Sequence, residues 1–411
     1  MSSEVGVEAS GREGDQRFPW QMSLAPNTLD DPFSLTQNVL DQYPPLFWSP
    51  AANPAVEGPG MWVATRYEVI REVFQNTDHY SSDGVYPYFR MMGEDLRAIP
   101  ISIDPPEHGK YRKLLEPWFS PKAVVALEPR IRAIVDKLID GFVDKGECDV
   151  AYDFGRVYPV KVFMALMGFP EDMFEQFLAW SHPMHFDTQN PAAMIGAAQG
   201  ALNYMREFIA ELHASPPNDG LASFIVRAEV EGRPLTDDEI LGIIFFLWDG
   251  GMDTVAATSS LVFRRLAVDQ GLQQIFRDNV GKMPVAIEEF LRMHPTVNTV
   301  RVAKVDHELE GQQVRKGDWV MCLAAAGNFD PEKFDDPRSF RMDRAQNLHM
   351  TFVAGPHRCL GINLARFELR IAFTEFLKRI PTFRLKPGAE SLAMPGLAGA
   401  QHVPVVWDVN Q

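Results

Sequence analysis

Cysteine is nearly absent: Cys148, Cys322 and Cys359 are the only three in 411 residues. So few, so far apart, exclude a disulfide framework and imply a reducing compartment. No run of about 18 apolar residues occurs, the densest being Ile243 to Trp248, and the first thirty residues carry Glu4, Glu8, Arg12, Glu13, Asp15 and Arg17 without an apolar core. Neither a spanning helix nor a signal peptide is expected, and the chain reads as cytoplasmic. Basic residues are also outnumbered, 39 against 55 acidic, for a formal net charge of -16. Repulsion of phosphate at that charge excludes a generic binder of nucleic acid or of an anionic membrane. No Gly-x-Gly-x-x-Gly turn is present, so no nicotinamide or flavin dinucleotide site is expected in the chain.

What remains is an ordinary globular composition, 46% hydrophobic and 23% charged, with ample material for a large core. Residues 1–30 read as a polar, mobile segment, with the ordered chain starting near Asp31. Met61 to Thr65 reads as a strand and Arg66 to Asn76 as a helix, and helices then follow one another between Pro105 and Gly168. Segments 182–192 and 214–221, rich in Pro, Asn and Asp, read as loops. Thr236-Asp237-Asp238-Glu239 is a capping box, and the pattern behind it predicts one long helix to about Val268, apolar all round from Ile240 to Trp248. A helix over 281–294, short strands around 300–305, 312–314 and 319–323, and a helix over 360–380 complete the count. The content is mainly α with minor β sheets and no βαβ alternation, which excludes a Rossmann or barrel enzyme.

Chemistry concentrates in Phe352-Val353-Ala354-Gly355-Pro356-His357-Arg358-Cys359-Leu360-Gly361. Two glycines and a proline force a tight loop, with backbone N–H groups able to turn toward the sulfur. A helix start and the neighbouring His357 and Arg358 favour thiolate over thiol, leaving a nucleophile or a soft metal ligand as alternatives. In the long helix, Asp249-Gly250-Gly251-Met252-Asp253-Thr254 holds two mid-helix glycines, each costing about 1 kcal/mol relative to alanine, so they call for close approach of another group or a local opening. Thr254 is placed to bond the Gly250 carbonyl. Glu289 and Arg292, three apart on one helix, are close enough to pair.

The pattern Phe-x-x-Gly-x-His-x-Cys-x-Gly resembles the haem-thiolate loop of the cytochrome P-450 family, and the histidine is similar to that of its camphor-hydroxylating bacterial branch. Glu289-Phe290-Leu291-Arg292 resembles the family's E-x-x-R element with Arg344 as third partner, and Asp104-Pro105-Pro106-Glu107-His108 with Arg112 resembles the entry to the haem-edge helix. The resemblance runs from about residue 31 to Asp408 and implies a single domain over 31–411, with haem b lying between the long helix and the cysteine loop. It implies that Cys359 ligates the iron, that Phe352, Gly355 and Gly361 shape the loop, and that His108, Arg112, Arg301 and His357 meet the propionates. Asp253 and Thr254 become the proton relay for dioxygen activation. Leu96, Phe246, Asp249, Gly250, Val297 and Leu397 become the pocket.

The implied activity is insertion of one oxygen atom from dioxygen into a small apolar cyclic substrate. A terpenoid or norisoprenoid like ionone is expected ahead of camphor, because Leu96 stands where the branch has its ketone-binding tyrosine. Tailoring of a larger secondary metabolite, or a haem sensor without turnover, are the alternative readings. Residues 105–137 hold seven Lys or Arg against four acids. With Arg358 and Arg366 they form a candidate dock for an acidic 2Fe-2S ferredoxin, itself reduced by its reductase; a merely solvated face is the other reading. The chain is expected to be a monomer.

Overall fold

Thr236 accepts a hydrogen bond from the Glu239 N–H at 3.2 Å, and the Glu239 carboxylate accepts from the Thr236 N–H at 2.8 Å. This closed capping box starts the helical stretch that crosses the molecule. The computed structural model describes residues 18, 27–28, 39–50, 52, 60–186, 190–394 and 398–409. The helices that shape the site are α1 (Tyr67–Gln75), α2 (His108–Leu115), α3 (Val157–Met167), α4 (Phe174–Phe186), α5 (Pro191–Ala214), α6 (Asp237–Met252), α7 (Thr254–Val268), α8 (Met283–Met293) and α9 (Ile362–Arg379). A twisted sheet flanks them, made of β1 (Leu46–Ser49), β2 (Met61–Ala64), β3 (Tyr80–Ser81), β4 (Thr299–Ala303) and β5 (Trp319–Cys322), ordered β1-β2-β5-β4-β3. Only β2 and β5 run parallel.

Three sequence expectations change here. The long helix is two, because Asp253 leaves helical pairing and α6 gives way to α7. Helix α4 continues through Pro183 to Phe186, where a loop is expected from residue 182; tertiary packing overrides the hydrogen bond that proline removes. Most of residues 1–38 lie outside the described residues, yet Phe18 donates its N–H to Trp48 O at 3.0 Å and packs edge-on against Tyr43 and Phe47, so the fold takes in chain before residue 31.

Helix α6 packs against α3, α4 and α5, and α7 packs against α9 and the irregular turn Val150–Gly155. Ile243, Ile244, Phe245 and Trp248 on α6 are fully buried. At about 2 kcal/mol for each such side chain, that face seats the helix. Phe246 is the exception in the apolar run, being only partly covered. Among the described residues, Asp237–Val268 is the one stretch long and apolar enough to cross a membrane, and 72% of its apolar window is buried inside the protein.

Candidate active site

The cysteine loop is fixed by its backbone. Cys359 donates its N–H to Phe352 O at 2.9 Å and Arg358 to Gly355 O at 3.1 Å. Gly355 has φ +74°, and a Cβ there would sit 2.5 Å from Phe74 O at the end of α1, so only glycine lets the loop lie against that helix. Val353, β-branched, holds φ 62° in the same loop, a strained conformation kept by the packing around it. The Gly361 N–H hydrogen-bonds the Cys359 sulfur. Burial nevertheless pushes the Cys359 thiol up, against the pull of that N–H and of Arg112, Arg366 and Arg358. The loop alone therefore does not make the expected thiolate, because the sulfur faces a cavity rather than water; a cation at the sulfur is needed.

That cavity, of about 190 Å³, lies between the α6–α7 break and the cysteine loop. Phe246, Gly250, Gly251 and Thr254 border it on one side, and Phe352, Cys359, Gly361 and Leu364 on the other. Thr254 Oγ1 donates to Gly250 O at 3.1 Å, as the spacing predicts. The two glycines differ in purpose. A Cβ on Gly251 would meet the Phe163 ring of α3 at 2.5 Å, whereas one on Gly250 would meet nothing within 4 Å.

One end of the cavity is basic. His108 and Arg112 of α2 border it with His357 and Arg358. The His108 and His357 rings lie 4.2 Å apart, centroid to centroid. Burial and then Arg112 push His108 down to about 4; burial and then Arg301 push His357 down to about 3. Arg301, on β4, is itself buried and acts on both imidazoles. His357 Nε2 is buried with no hydrogen-bond partner among the described residues. Clustered cations and an orphaned ring nitrogen are what a group with two carboxylates would satisfy, so haem fits these residues.

Behind the loop, Arg292 Nη2 donates to Glu289 Oε1 at 2.8 Å and its Nε to Oε2 at 2.9 Å, with both side chains fully buried. Arg344 Nε adds a bond to Glu289 Oε1 at 2.9 Å, and Arg292 Nη1 donates to Asn328 O at 2.9 Å. This ties α8 to the segment leading into the cysteine loop, because Asn328 also accepts the Met350 N–H at 2.7 Å.

Some expected residues stand elsewhere. Leu96 borders a separate surface pocket with Asp83 and Arg97. Val297, just after α8, is 37% exposed and does not border the cavity. Gly355 lies behind the loop, and Leu397 falls outside the described residues. Asp249, expected in the pocket, is buried on another face of α6 and accepts from the Tyr86 hydroxyl at 2.8 Å. Of the candidate docking cations, Arg366 is paired with Glu288 at 2.6 Å, Arg112 with Glu116 at 3.0 Å, and Arg132 with Glu128 and Glu375. Lys113, Lys122, Arg130, Lys137 and Arg358 are exposed.

His185 was not legible in the sequence. The run of α4 through Pro183 carries its Nδ1 to 2.8 Å from Asp253 Oδ2 and its Nε2 to 3.1 Å from Asp249 Oδ1. Burial opposes the imidazolium, but the two carboxylates outweigh it and push His185 up to about 10. Asp253 also borders a second, polar cavity of about 290 Å³ with Arg156, His182 and His402. Thr254 borders only the apolar cavity, so two successive residues face two compartments.

Fold and cavity together set a cysteine sulfur and a basic cluster on one cavity, the donors that a doubly anionic prosthetic group would use. Residues 173–394 match the cytochrome P450 family. The probable cytochrome P450 127A1 of Sinorhizobium fredii is 36% identical, covering 93% of this chain and 92% of its own. A steroid C26-monooxygenase of Mycolicibacterium smegmatis is 31% identical, over 85% of this chain and 88% of its own. The crystal structure of CYP101J2 superposes with a TM-score of 0.84 at 29% identity, covering 96% of this chain and 98% of that one. The chain belongs to the cytochrome P450 family. It is a monooxygenase, an oxidoreductase whose cofactor is cysteine-ligated haem b.

Proposed function

We propose that Cys359 is the axial thiolate of haem b, that His108, Arg112, Arg301 and His357 receive its propionates, and that the enzyme hydroxylates a small apolar cyclic compound, a terpenoid or norisoprenoid of the ionone type. The observation that carries this reading is one cavity with the Cys359 sulfur on one wall, Thr254 on the other and a basic cluster at its end. Haem b bound there supplies dioxygen activation and oxygen insertion into a C–H bond. The chain's own residues do the rest. Phe246, Leu247 and Val255 exclude water and bind hydrocarbon. Among the described residues bordering the cavity Thr254 has the one hydroxyl, already given to Gly250 O, so no hydroxyl is free to fix a substrate carbonyl and the hydrocarbon ring carries recognition. Asp253 takes protons from the polar cavity and Thr254 holds the water that receives them, a positioned acid of the usual kind.

Electrons come from a 2Fe-2S ferredoxin, served by its reductase, docking on Lys113, Lys122, Arg130, Lys137 and Arg358. The enzyme works as a cytoplasmic monomer of one domain. The deciding experiment is the absorption spectrum of the reduced carbon-monoxide adduct. The thiolate band is expected in wild type and lost in Cys359→Ala; a colourless wild type purified after growth with ample haem sinks the assignment. Titration with ionone-type compounds should then displace bound water and shift the spin state, and raised salt should slow electron delivery.

A further inference from the structure

Asp249 and Asp253 stand one helical turn apart, both nearly fully buried, and like charges at that spacing repel. His185 resolves the conflict by spanning them, one ring nitrogen to each. The Tyr86 hydroxyl fixes Asp249 from the other side, at 2.8 Å on Oδ2, while the Tyr86 ring stands edge-on to Phe246 at 5.6 Å. Tyr88 donates to Met184 O at 2.8 Å, beside His185, and His182, Arg156 and His402 border the polar cavity beyond Asp253. For the proposed relay to run, the Asp253 carboxylate must leave His185 and turn toward Thr254. With no second partner that movement would strand a buried cation, a state proteins avoid at high cost.

We propose that Asp249 is a positioning residue of the relay: held by Tyr86, it keeps the His185 imidazolium paired while Asp253 breaks away to carry a proton from the polar cavity to the Thr254 side. The transfer is a proton exchange alone. Released from His185, the Asp253 carboxylate takes a proton from solvent reaching the polar cavity, its new O–H bond breaks toward Thr254's water, and it returns as a carboxylate to His185. Asp249 exchanges no proton in this step and does not border the haem cavity.

This inference rests on the relay reading, and the test separates the two. In Asp249→Asn holoenzyme, haem content and the reduced carbon-monoxide spectrum should be unchanged, while product formed per reductant falls about tenfold, peroxide rises and the solvent isotope effect on turnover grows. Asp249→Glu should restore coupling. Nitrogen NMR of His185 in the diamagnetic reduced carbon-monoxide form should show its titration midpoint moving from near 10 toward the ordinary value of about 6.5 in Asp249→Asn. Wild-type coupling and isotope effect in Asp249→Asn, or an unmoved His185 titration, overturn the inference. If Thr254→Ala uncouples turnover but Asp249→Asn does not, Asp249 alone is misassigned; if Thr254→Ala stays coupled, relay and inference fall together.

Discussion

Two adjacent glycines in α6 carry opposite expectations. Gly251 has the Phe163 ring where a methyl would go, so Gly251→Ala overpacks the α3 contact and should cost about 1 to 3 kcal/mol, read as a lower thermal midpoint. Gly250 faces open space, so Gly250→Ala should fold at least as well, gaining up to about 1 kcal/mol of helix propensity, while its methyl enters the haem cavity and weakens substrate-induced spin change. Equal stability of the two variants would contradict this division. Thr254→Ala should keep haem but divert electrons to peroxide, measured as product per reductant. At this scale much was legible: glycine in the cysteine loop or mid-helix is a cost that only geometry repays, and Gly355 and Gly251 mark close contacts while Gly250 marks an opening. His185 was not legible, because Pro183 read as a helix stop and only the packing of α4 on α6 carries the helix past it.

Among the elements, α8 depends most on one interaction. Glu289 and Arg292 are both fully buried; removing Glu289 leaves Arg292 without its carboxylate, and removing Arg292 leaves Glu289 with Arg344 as its remaining cation. Arg292→Ala should destabilise by about 3 to 5 kcal/mol and give protein that loses haem, followed by denaturant midpoint and visible absorbance. Arg292→Lys should rescue little, since Lys lacks the fork that grips both carboxylate oxygens and Asn328 O. The spacing of this pair was readable, but its burial was not: a pair three apart looks the same on a wet helix. The single long helix expected over 236–268 failed for a related reason. Local periodicity continues across Asp253; at the break stand one tertiary contact, His185 on that carboxylate, and one local one, the Thr254 bond to Gly250 O.

For the whole molecule, buried neutral histidines set the acid limit. Burial first, then Arg265, Arg292 and Arg264, push His294 down to about 3. The unfolded chain, with histidine near 6.5, takes up protons first as pH falls, so stability present above about 6.5 is lost progressively toward about 3, at roughly 1.4 kcal/mol per pH unit for this group. Stability from urea unfolding should fall between about pH 6.5 and pH 5 by at least that slope, and His294→Phe should reduce the slope by about that amount while His108 and His357 keep the rest; an unchanged slope contradicts the assignment. At this scale the mainly helical fold and its small sheet followed from periodicity, whereas Leu96 and Val297, expected in the pocket from the resemblance alone, do not border the cavity. The partition at the α6–α7 break has a last consequence. The hydrocarbon chamber is bordered by Thr254 and the polar vestibule by Asp253, the residue just before it in the chain. Remodelling Phe246 or Leu247 to admit bulkier guests therefore leaves the vestibule's plumbing intact, so substrate range and proton supply can drift independently in this lineage.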